Sequence, residues 1–192
     1  MRIGVVSDIH GNHRALARAL DLLDGVDRLF CVGDAINQHR FSNEVVGMLR
    51  DRDATTIWGN HEAMFFGPGS TRLRTADWID SSHLQWLQER RATETLEIEG
   101  RRLMLVHSTP ARPFGNYVSS LGGGLTRHFS DTGADIILCG HTHQPHATQC
   151  GETLVLNPGS VGEGRPGPAG YILSCAVLDL DTLSHEHFDF CE

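Results

Sequence analysis

The sequence alternates short apolar runs with polar segments, and five of the runs end in the same way. An aspartate, an asparagine or a histidine follows each run within two residues. The runs cover residues 3–6, 29–32, 55–58, 103–106 and 136–139. Their length and composition indicate strands that are buried in a sheet. Because ligands bind at the carboxyl ends of strands in α/β sheets, we expect the five polar ends to share one site.

Helical periodicity separates the first three strands. Residues 12–23 repeat leucine and alanine at helical spacing, and Ser42 is a typical N-cap for a second helix. With strands over residues 2–7, 28–33 and 54–58, the order is β-α-β-α-β. This order predicts parallel strands that are covered by helices.

The second half predicts one more long helix and then mostly antiparallel strands. A helix is expected over 77–90, with Trp78 and Trp86 on one buried face. Residues 62–76 predict an apolar loop near the site, either a lid or a loop packed on the core, and residues 158–170 predict a Gly/Pro-rich loop. The other predicted elements are a helix over 125–130 and strands over 93–99, 102–107, 135–139, 145–150, 153–157, 171–179 and 183–190. Together these elements predict an α/β domain over 1–192, with two packed sheets between helical layers.

Composition limits the classes of function. A length of 192 residues with 40% hydrophobic residues fits one domain with a sizeable core. A net charge of −8 argues against extended nucleic-acid binding, which needs a basic surface, but it allows a small phosphate-ester substrate. No signal peptide or membrane span is visible, and the five cysteines lack CxxC spacing, so reduced thiols in a cytoplasmic protein are expected. The sequence leaves a homo-oligomer open.

The polar residues at the strand ends are oxygen and nitrogen donors of the kind that bind metal ions. The seven candidates are Asp8, His10, Asp34, Asn60, His107, His141 and His143. None is a cysteine, which argues against a structural zinc site. Seven donors are too many for one tetrahedral ion and suit two divalent ions that share a carboxylate, for which we select Asp34. Asp8 and His10 are two residues apart, so in an extended chain they would point to the same side.

Each candidate alone has an ordinary structural explanation. An aspartate after a strand is commonly a turn or N-cap residue, and an isolated histidine commonly lies on the surface or in a hydrogen-bonded core. The order, spacing and shared strand-end position of the candidates favour a metal site instead. The histidines that lack this context are assigned the ordinary role: His13, His39, His83, His128, His185 and His187.

With these motifs assembled, the sequence resembles the calcineurin-like metallophosphoesterases, and in particular their small bacterial and archaeal single-domain phosphodiesterases. The matching pieces are Asp8-x-His10, Gly33-Asp34, Gly59-Asn60-His61-Glu62, His107, Gly140-His141-Thr142-His143 and Asn157-Pro158-Gly159-Ser160-Val161. The resemblance implies a four-layer α/β/β/α sandwich of two mixed sheets flanked by helices, with a dinuclear centre. It assigns to one ion Asp8, His10, Asp34 and His143. It assigns to the other ion Asp34, Asn60, His107 and His141.

The implied activity is hydrolysis of a P–O bond by a hydroxide that bridges two divalent ions. Manganese is the first choice of metal, with Fe, Zn, Ni, Co or Mg as alternatives. His61 and Asp34 are the predicted catalytic residues. His61 is expected to bind phosphate or to protonate the leaving group, and Glu62 to orient a ligand histidine.

Four further residues receive lesser roles. Asn12 and Arg165 are candidate substrate contacts, with a helix N-cap and solvent exposure as the respective alternatives. Asn157 and Ser160 are expected to shape the turn after their strand. The sequence departs from many relatives at Asn37, where they have an acidic residue, and in the Gln38-His39-Arg40-Phe41 segment that follows. The departure makes the substrate pocket harder to infer than the metal site.

Other functions remain open at this level. The same site could serve a phosphomonoesterase, a dinucleoside polyphosphate hydrolase or a phosphoprotein phosphatase. A deep basic groove would favour the last two, but no Arg/Lys cluster lies beside the motifs in the sequence. A non-catalytic binding module of the same fold, similar to the phosphoesterase-like subunit of retromer, would be expected to have lost ligands, whereas here every ligand position is intact.

Overall fold

The computed structural model describes residues 1–115, 124–168 and 170–191 of the chain, and these residues form two sheets and six α-helices. The strands are β1 (Arg2–Val6), β2 (Arg28–Cys31), β3 (Thr55–Thr56), β4 (Thr93–Ile98), β5 (Arg101–Val106), β6 (Ile136–Leu138), β7 (His146–Cys150), β8 (Thr153–Asn157), β9 (Arg165–Gly167), β10 (Gly170–Asp179) and β11 (His185–Phe190). The helices are α1 (His13–Leu22), α2 (Asn43–Asp51), α3 (Asn60–Phe66), α4 (Thr71–Arg74), α5 (Ser81–Gln88) and α6 (Gly124–Phe129), and a short 3₁₀ turn covers Pro68–Ser70.

Both sheets are mixed, as expected from the sequence. The first has the order β11-β10-β1-β2-β3, with β9 added beside β10, and its strands β1, β2 and β3 run parallel. The second has the order β4-β5-β6-β8-β7, in which β5, β6 and β8 run parallel. The prediction of a mostly antiparallel second half was therefore only partly right. The segment between β5 and β6 is long enough for a crossover, which parallel neighbours require.

The apolar runs are continuous because both faces of their strands are buried. Val5 and Phe30 face the second sheet, where they pack in one cluster with Leu105. Their neighbours Val6 and Cys31 face the opposite way and pack in the cluster that contains α1 and α2. Phe129 of α6 covers the other side of the second sheet. The order of layers is helix, sheet, sheet, helix.

Side-chain caps set where the first two helices begin. Asn12 Oδ1 accepts a hydrogen bond from the Ala15 N–H, at 3.1 Å, and Ser42 Oγ accepts one from the Val45 N–H, at 3.3 Å. Each side chain satisfies a backbone donor that the first helical turn leaves free. The predicted Ser42 cap is thus confirmed, and Asn12 has the alternative role that the sequence had left open for it.

The region between β3 and β4 differs from its prediction. Residues 62–76 are largely helical, since they contain most of α3, the 3₁₀ turn and α4, so the apolar loop was wrong. The helix expected over 77–90 begins only at Ser81, because Asp80 Oδ1 caps it by accepting from the Ser82 and His83 N–H groups. Trp78 therefore precedes the helix and is 56% exposed, so it shares no buried face with Trp86.

Several smaller points complete the comparison. The predicted strand over 54–58 is reduced to Thr55–Thr56, and the loop over 158–170 contains the short strand β9. All five cysteines are free, and all but Cys191 are buried. No helix in the described part of the chain is both long and apolar enough to cross a membrane. The sequence also predicts a loop rich in Gly, Pro and Ser over 108–124, and residues 116–123 of it lie outside the described residues.

Candidate metal centre

Backbone hydrogen bonds join the loops that follow the strands. The Asp8 N–H donates to the Gly33 carbonyl at 3.1 Å, and the His10 N–H donates to the Asp34 carbonyl at 2.9 Å. The loops of the second sheet are joined in the same way, since the Gly140 N–H donates to the His107 carbonyl at 2.9 Å. The two sheets are joined by the His141 N–H, which donates to Asp8 Oδ2 at 3.0 Å, and the segment after β3 is joined by the His61 N–H, which donates to Asp34 Oδ1 at 2.8 Å. The five strand ends thus meet at one edge, as the sequence pattern predicted.

One group of donor atoms forms around Asp8. His143 Nε2 lies 3.2 Å from Asp8 Oδ1 and 3.3 Å from His10 Nε2. The three side chains present one ligand atom each within 4.8 Å of one another, which is close enough for a single cation to contact all three. These are three of the four residues that the family resemblance assigned to the first ion.

A second group forms around His107. Its Nε2 lies 3.2 Å from both Asp34 Oδ2 and Asn60 Oδ1. The His141 ring stands 5.0 Å from the His107 ring, measured between centroids. These four residues are those assigned to the second ion. Asp8 reaches this group as well, because its Oδ1 is 3.8 Å from His107 Nε2.

Hydrogen bonds to the ring nitrogens assign different roles to two histidines. His107 Nδ1 donates to the Val32 carbonyl at 2.8 Å, so its Nε2 carries the lone pair that a metal ion needs. His61 Nδ1 instead accepts from the Gln38 N–H at 3.1 Å, so neutral His61 carries its proton on Nε2. His61 Nε2 lies 3.9 Å from Asp34 Oδ2, and His61 also belongs to a group of possible metal ligands with His10 and Asp34. In the tautomer that carries its proton on Nε2, this atom donates a hydrogen bond and cannot bind a metal ion.

Left-handed backbone is concentrated in the ligand loops. Nine described residues other than glycine have a positive φ, and five of them are candidate ligands. Their φ values are 52° at Asp8, 50° at His10, 51° at Asp34, 69° at His141 and 57° at His143. The backbone at Asp8 and His10 is therefore not extended, as the prediction had assumed, although the two side chains do reach the same group of donor atoms. Each such residue costs about 1–2 kcal/mol, a strain that is typical of functional sites.

Two glycines allow the loops to approach each other. A Cβ at Gly59 would lie 2.1 Å from Asp34 Oδ1, and a Cβ at Gly140 would lie 2.0 Å from Ser7 Oγ. Both distances are far below van der Waals contact. A side chain at either position would displace Asp34 or the segment that contains Asp8.

Glu62 holds two ligand loops together. Its carboxylate is fully buried and accepts from the N–H groups of Asp34 at 2.9 Å, Ile36 at 2.9 Å and Gly59 at 2.8 Å. Burial and the negative charge of Asp34 raise the pKa of Glu62 to about 7. The expected contact with a ligand histidine was wrong. Sequence reasoning missed the true partners because they are backbone groups, which any residue provides.

The centre contains buried negative charge that requires a counter-charge. Burial acts to raise the pKa of Asp8, but His107 and His143 outweigh it and lower that pKa. Burial likewise acts to lower the pKa of His107, but Asp8 and Asp34 outweigh it and raise that pKa to about 9. Burial and the nearby His107 lower the pKa of His141 to about 4. Without a metal ion, a proton on His107 has to balance the carboxylates.

The donor set fits divalent cations. Asp8 Oδ1 is buried and forms no well-aligned hydrogen bond in the described part of the chain, and its near polar neighbours are the Nε2 atoms of His143 at 3.2 Å and His107 at 3.8 Å. A bound cation would satisfy it and would replace the proton on His107. The ligands are carboxylate, amide and imidazole groups, which suit manganese, iron, zinc, cobalt or nickel.

The remaining predicted residues lie around the centre. Asn157 and Ser160 shape the turn after β8, as expected: Asn157 Oδ1 accepts from the Gly159 N–H at 2.8 Å, and Ser160 Oγ accepts from the Glu163 N–H at 2.7 Å. They also join this turn to two ligand loops, since Asn157 Nδ2 donates to the Gly140 carbonyl at 2.7 Å and Ser160 Oγ donates to the Asp8 carbonyl at 2.8 Å. Arg165 forms an ion pair with Asp189 on β11. Contact of Asn12 or Arg165 with a substrate stays a prediction.

Comparison with known proteins places the chain in a family. The family model described as a calcineurin-like phosphoesterase superfamily domain matches residues 1–183. An uncharacterised protein of Methanocaldococcus jannaschii is 27% identical, over 86% of this chain and 78% of that protein. A metallophosphoesterase from Sphaerobacter thermophilus has the same fold with a TM-score of 0.80, at 23% identity over 100% of this chain and 89% of its own. An archaeal phosphodiesterase has a TM-score of 0.62, at 19% identity over 99% and 100%. The chain therefore belongs to the calcineurin-like phosphoesterase superfamily.

Proposed function

We propose that this protein is a phosphodiesterase that uses two divalent metal ions, with manganese as the first candidate. The observation that carries the proposal is the meeting of polar side chains from five strand ends. Donor atoms that are up to 135 positions apart in the chain, from Asp8 to His143, lie as close as 3.2 Å. Isolated histidines and aspartates of a structural kind would have no reason to meet in this way.

The grouping of the donors supports two cations rather than one. Asp34 belongs to one group of candidate ligands with His10 and His61 and to another with Asp8 and His107, which suits the shared carboxylate that we expected it to be. Asp8 also belongs to two groups, so it is a second candidate for the shared position. When bound, two divalent ions would provide an activated water for attack on phosphorus and would offset the charge of the phosphate.

His61 is positioned to act on the substrate. The Gln38 N–H holds its Nδ1, so the Nε2–H points towards Asp34 and is available to donate. A phosphate oxygen or the leaving oxygen of the ester would accept this proton. Glu62 and the close approach of Gly59 keep Asn60 and His61, at the start of α3, at a fixed distance from Asp34.

An adjoining cavity supports a diester substrate over a monoester. It has a volume of about 580 Å³ and is lined by His143, Glu163, Tyr171 and Leu173, among others. A phosphate monoester has one organic group to accommodate outside the metal centre, whereas a diester has two and needs the additional space. The similar fold of an archaeal phosphodiesterase agrees with this choice.

The test combines metal analysis with hydrolysis of matched aryl mono- and diesters. We expect the purified protein to bind about two divalent ions per chain and to hydrolyse the diester faster. Asp34→Asn should lose metal and activity, while Asp24→Asn, at an exposed aspartate outside the site, should lose neither. His61→Ala should keep its metal and lose rate by a factor of about 10²–10⁴.

Three results would contradict the proposal. Full metal content and full rate in Asp34→Asn would exclude Asp34 as the shared ligand. Loss of metal in His61→Ala would make His61 a ligand. A protein that binds metal but hydrolyses neither ester would indicate the non-catalytic binding module instead.

A further inference from the structure

A second cavity lies beside His10, and its lining is basic. It has a volume of about 330 Å³, and its lining includes His10, His13, Arg14 and Arg40. The two arginines are distant in the sequence, which is why no basic cluster was visible there. The fold brings them together because α1 starts directly after the first ligand loop, and the segment with Arg40 follows the second ligand loop.

Both arginines are attached to elements that are fixed relative to the metal centre. Arg14 is in the first turn of α1, which the Asn12 side chain caps. Arg40 closes a tight turn in which the Asn37 N–H donates to the Arg40 carbonyl at 3.2 Å and the Arg40 N–H donates to the Asn37 carbonyl at 3.0 Å. The same turn supplies the Gln38 N–H that holds His61.

The two guanidinium groups are available to a ligand. Both side chains are exposed, and no described carboxylate lies within ion-pair distance of either one. Arg165, in contrast, is already paired with Asp189. Glu163 lines the cavity, with its Oε2 3.9 Å from His10 Nε2. Glu44 does not line it but lies near enough to His13 and Arg40 for their charges to help lower its pKa. The lining therefore keeps a positive balance next to the centre of an acidic protein.

We propose that Arg14 and Arg40 form a second anion subsite, so that the preferred substrate carries a further phosphate group in addition to the one that is hydrolysed. Guanidinium groups bind phosphate through paired, charge-assisted hydrogen bonds. A cavity of about 330 Å³ is at the small end of ligand pockets and suits phosphate groups better than a nucleoside. The substrate class is then an ester of a pyrophosphate or polyphosphate chain. This inference rests on the proposed phosphodiesterase function and narrows its substrate.

Two substrates that differ only in phosphate number test the subsite. They are the p-nitrophenyl ester of thymidine monophosphate and the γ-p-nitrophenyl ester of thymidine triphosphate, with release of nitrophenolate as the readout. We expect the unmodified protein to have the higher kcat/KM on the triphosphate ester. Arg14→Ala and Arg40→Ala should each reduce this preference by about tenfold, as for the loss of one hydrogen-bonded charge.

Matched variants separate charge from other effects. Arg18→Ala removes an exposed arginine from α1 that does not line the cavity, so it should leave the preference unchanged. Arg14→Lys and Arg40→Lys should retain most of the preference, because they keep the positive charge. Raising the salt concentration should reduce the preference, because exposed charges are screened. Equal kcat/KM on both substrates, or an equal loss on both in the arginine variants, would overturn the subsite while leaving the phosphodiesterase function intact.

A binding measurement covers the case in which neither ester is hydrolysed. Tripolyphosphate is titrated into the EDTA-treated protein by calorimetry, so that neither metal nor turnover contributes. We expect binding that weakens by about tenfold in each of Arg14→Ala and Arg40→Ala and is unchanged in Arg18→Ala. Equal affinity in all four proteins, or no binding to the unmodified protein, would overturn the subsite independently of the proposed function.

Discussion

Substitution of Gly59 by alanine should damage the metal centre and spare the fold. Gly59 has a φ of −100° and a ψ of −169°, which any residue can adopt, so the added methyl group brings no backbone strain. The difficulty is distance, because the new Cβ would lie 2.1 Å from Asp34 Oδ1, whereas ordinary contact begins at 3.4 Å. The Asp34 carboxylate or the start of α3 must therefore move by about 1.3 Å.

The size of the effect follows from that displacement. Overpacking of a buried site typically costs about 1–3 kcal/mol, which a folded domain can tolerate. A misplacement of about 1 Å in a catalytic site costs about 10²-fold in rate, and Asp34 is the proposed shared ligand. Gly59→Ala should therefore unfold cooperatively at somewhat lower urea concentration, bind less metal and lose about 10²-fold in diester hydrolysis.

Gly69→Ala is the matched control, because no atom lies within 4 Å of a Cβ at that position. It should leave metal content, stability and rate unchanged. The assays are metal analysis of the dialysed protein, urea unfolding and hydrolysis of an aryl diester. Full metal content and full rate in Gly59→Ala would refute the view that the close approach of this glycine positions Asp34.

Three further predictions concern stability. In the EDTA-treated protein, the raised pKa of His107 stabilises the fold below pH 6.5, and this contribution of about 3 kcal/mol should be lost as the pH rises through about 9. Urea unfolding across this pH window measures the contribution. Saturating metal should abolish the pH dependence of the unfolding free energy, because a cation then replaces the proton on His107. An equally steep pH dependence with metal bound would contradict this exchange. Asn157→Asp should destabilise the protein by about 1–3 kcal/mol, because it sets a carboxylate oxygen against the Gly140 carbonyl. Phe65→Ala should lower the free energy of unfolding by about 3–5 kcal/mol, because Phe65 is fully buried. Trp78→Ala should have little effect, because Trp78 is 56% exposed, and similar shifts in Tm for the two variants would refute this ranking.

Many of the elements and the set of candidate ligands could be predicted from the sequence, because the patterns that indicate them are local. A strand buried on both faces is an uninterrupted apolar run, and Ser42 caps its helix through a hydrogen bond to Val45, three residues away. The same reasoning failed where a local competitor was overlooked, as at Asp80, whose side chain caps α5 and leaves Trp78 outside it. It also failed at residues 62–76, where apolar residues next to Gly67-Pro68 suggested a loop although they lie largely in helices.

The sequence by itself determined which side chains would be available at the strand ends, since the apolar runs along the chain and the donor groups that follow them are both matters of residue type. Only the tertiary structure decided how those side chains are held. The left-handed backbone at Asp8 and His10, the three backbone N–H groups that Glu62 accepts from, and the shared cavity of Arg14 and Arg40 all depend on contacts between segments that are far apart in the chain. Such contacts involve backbone groups and distances between segments, and these cannot be inferred from the identity of any single residue.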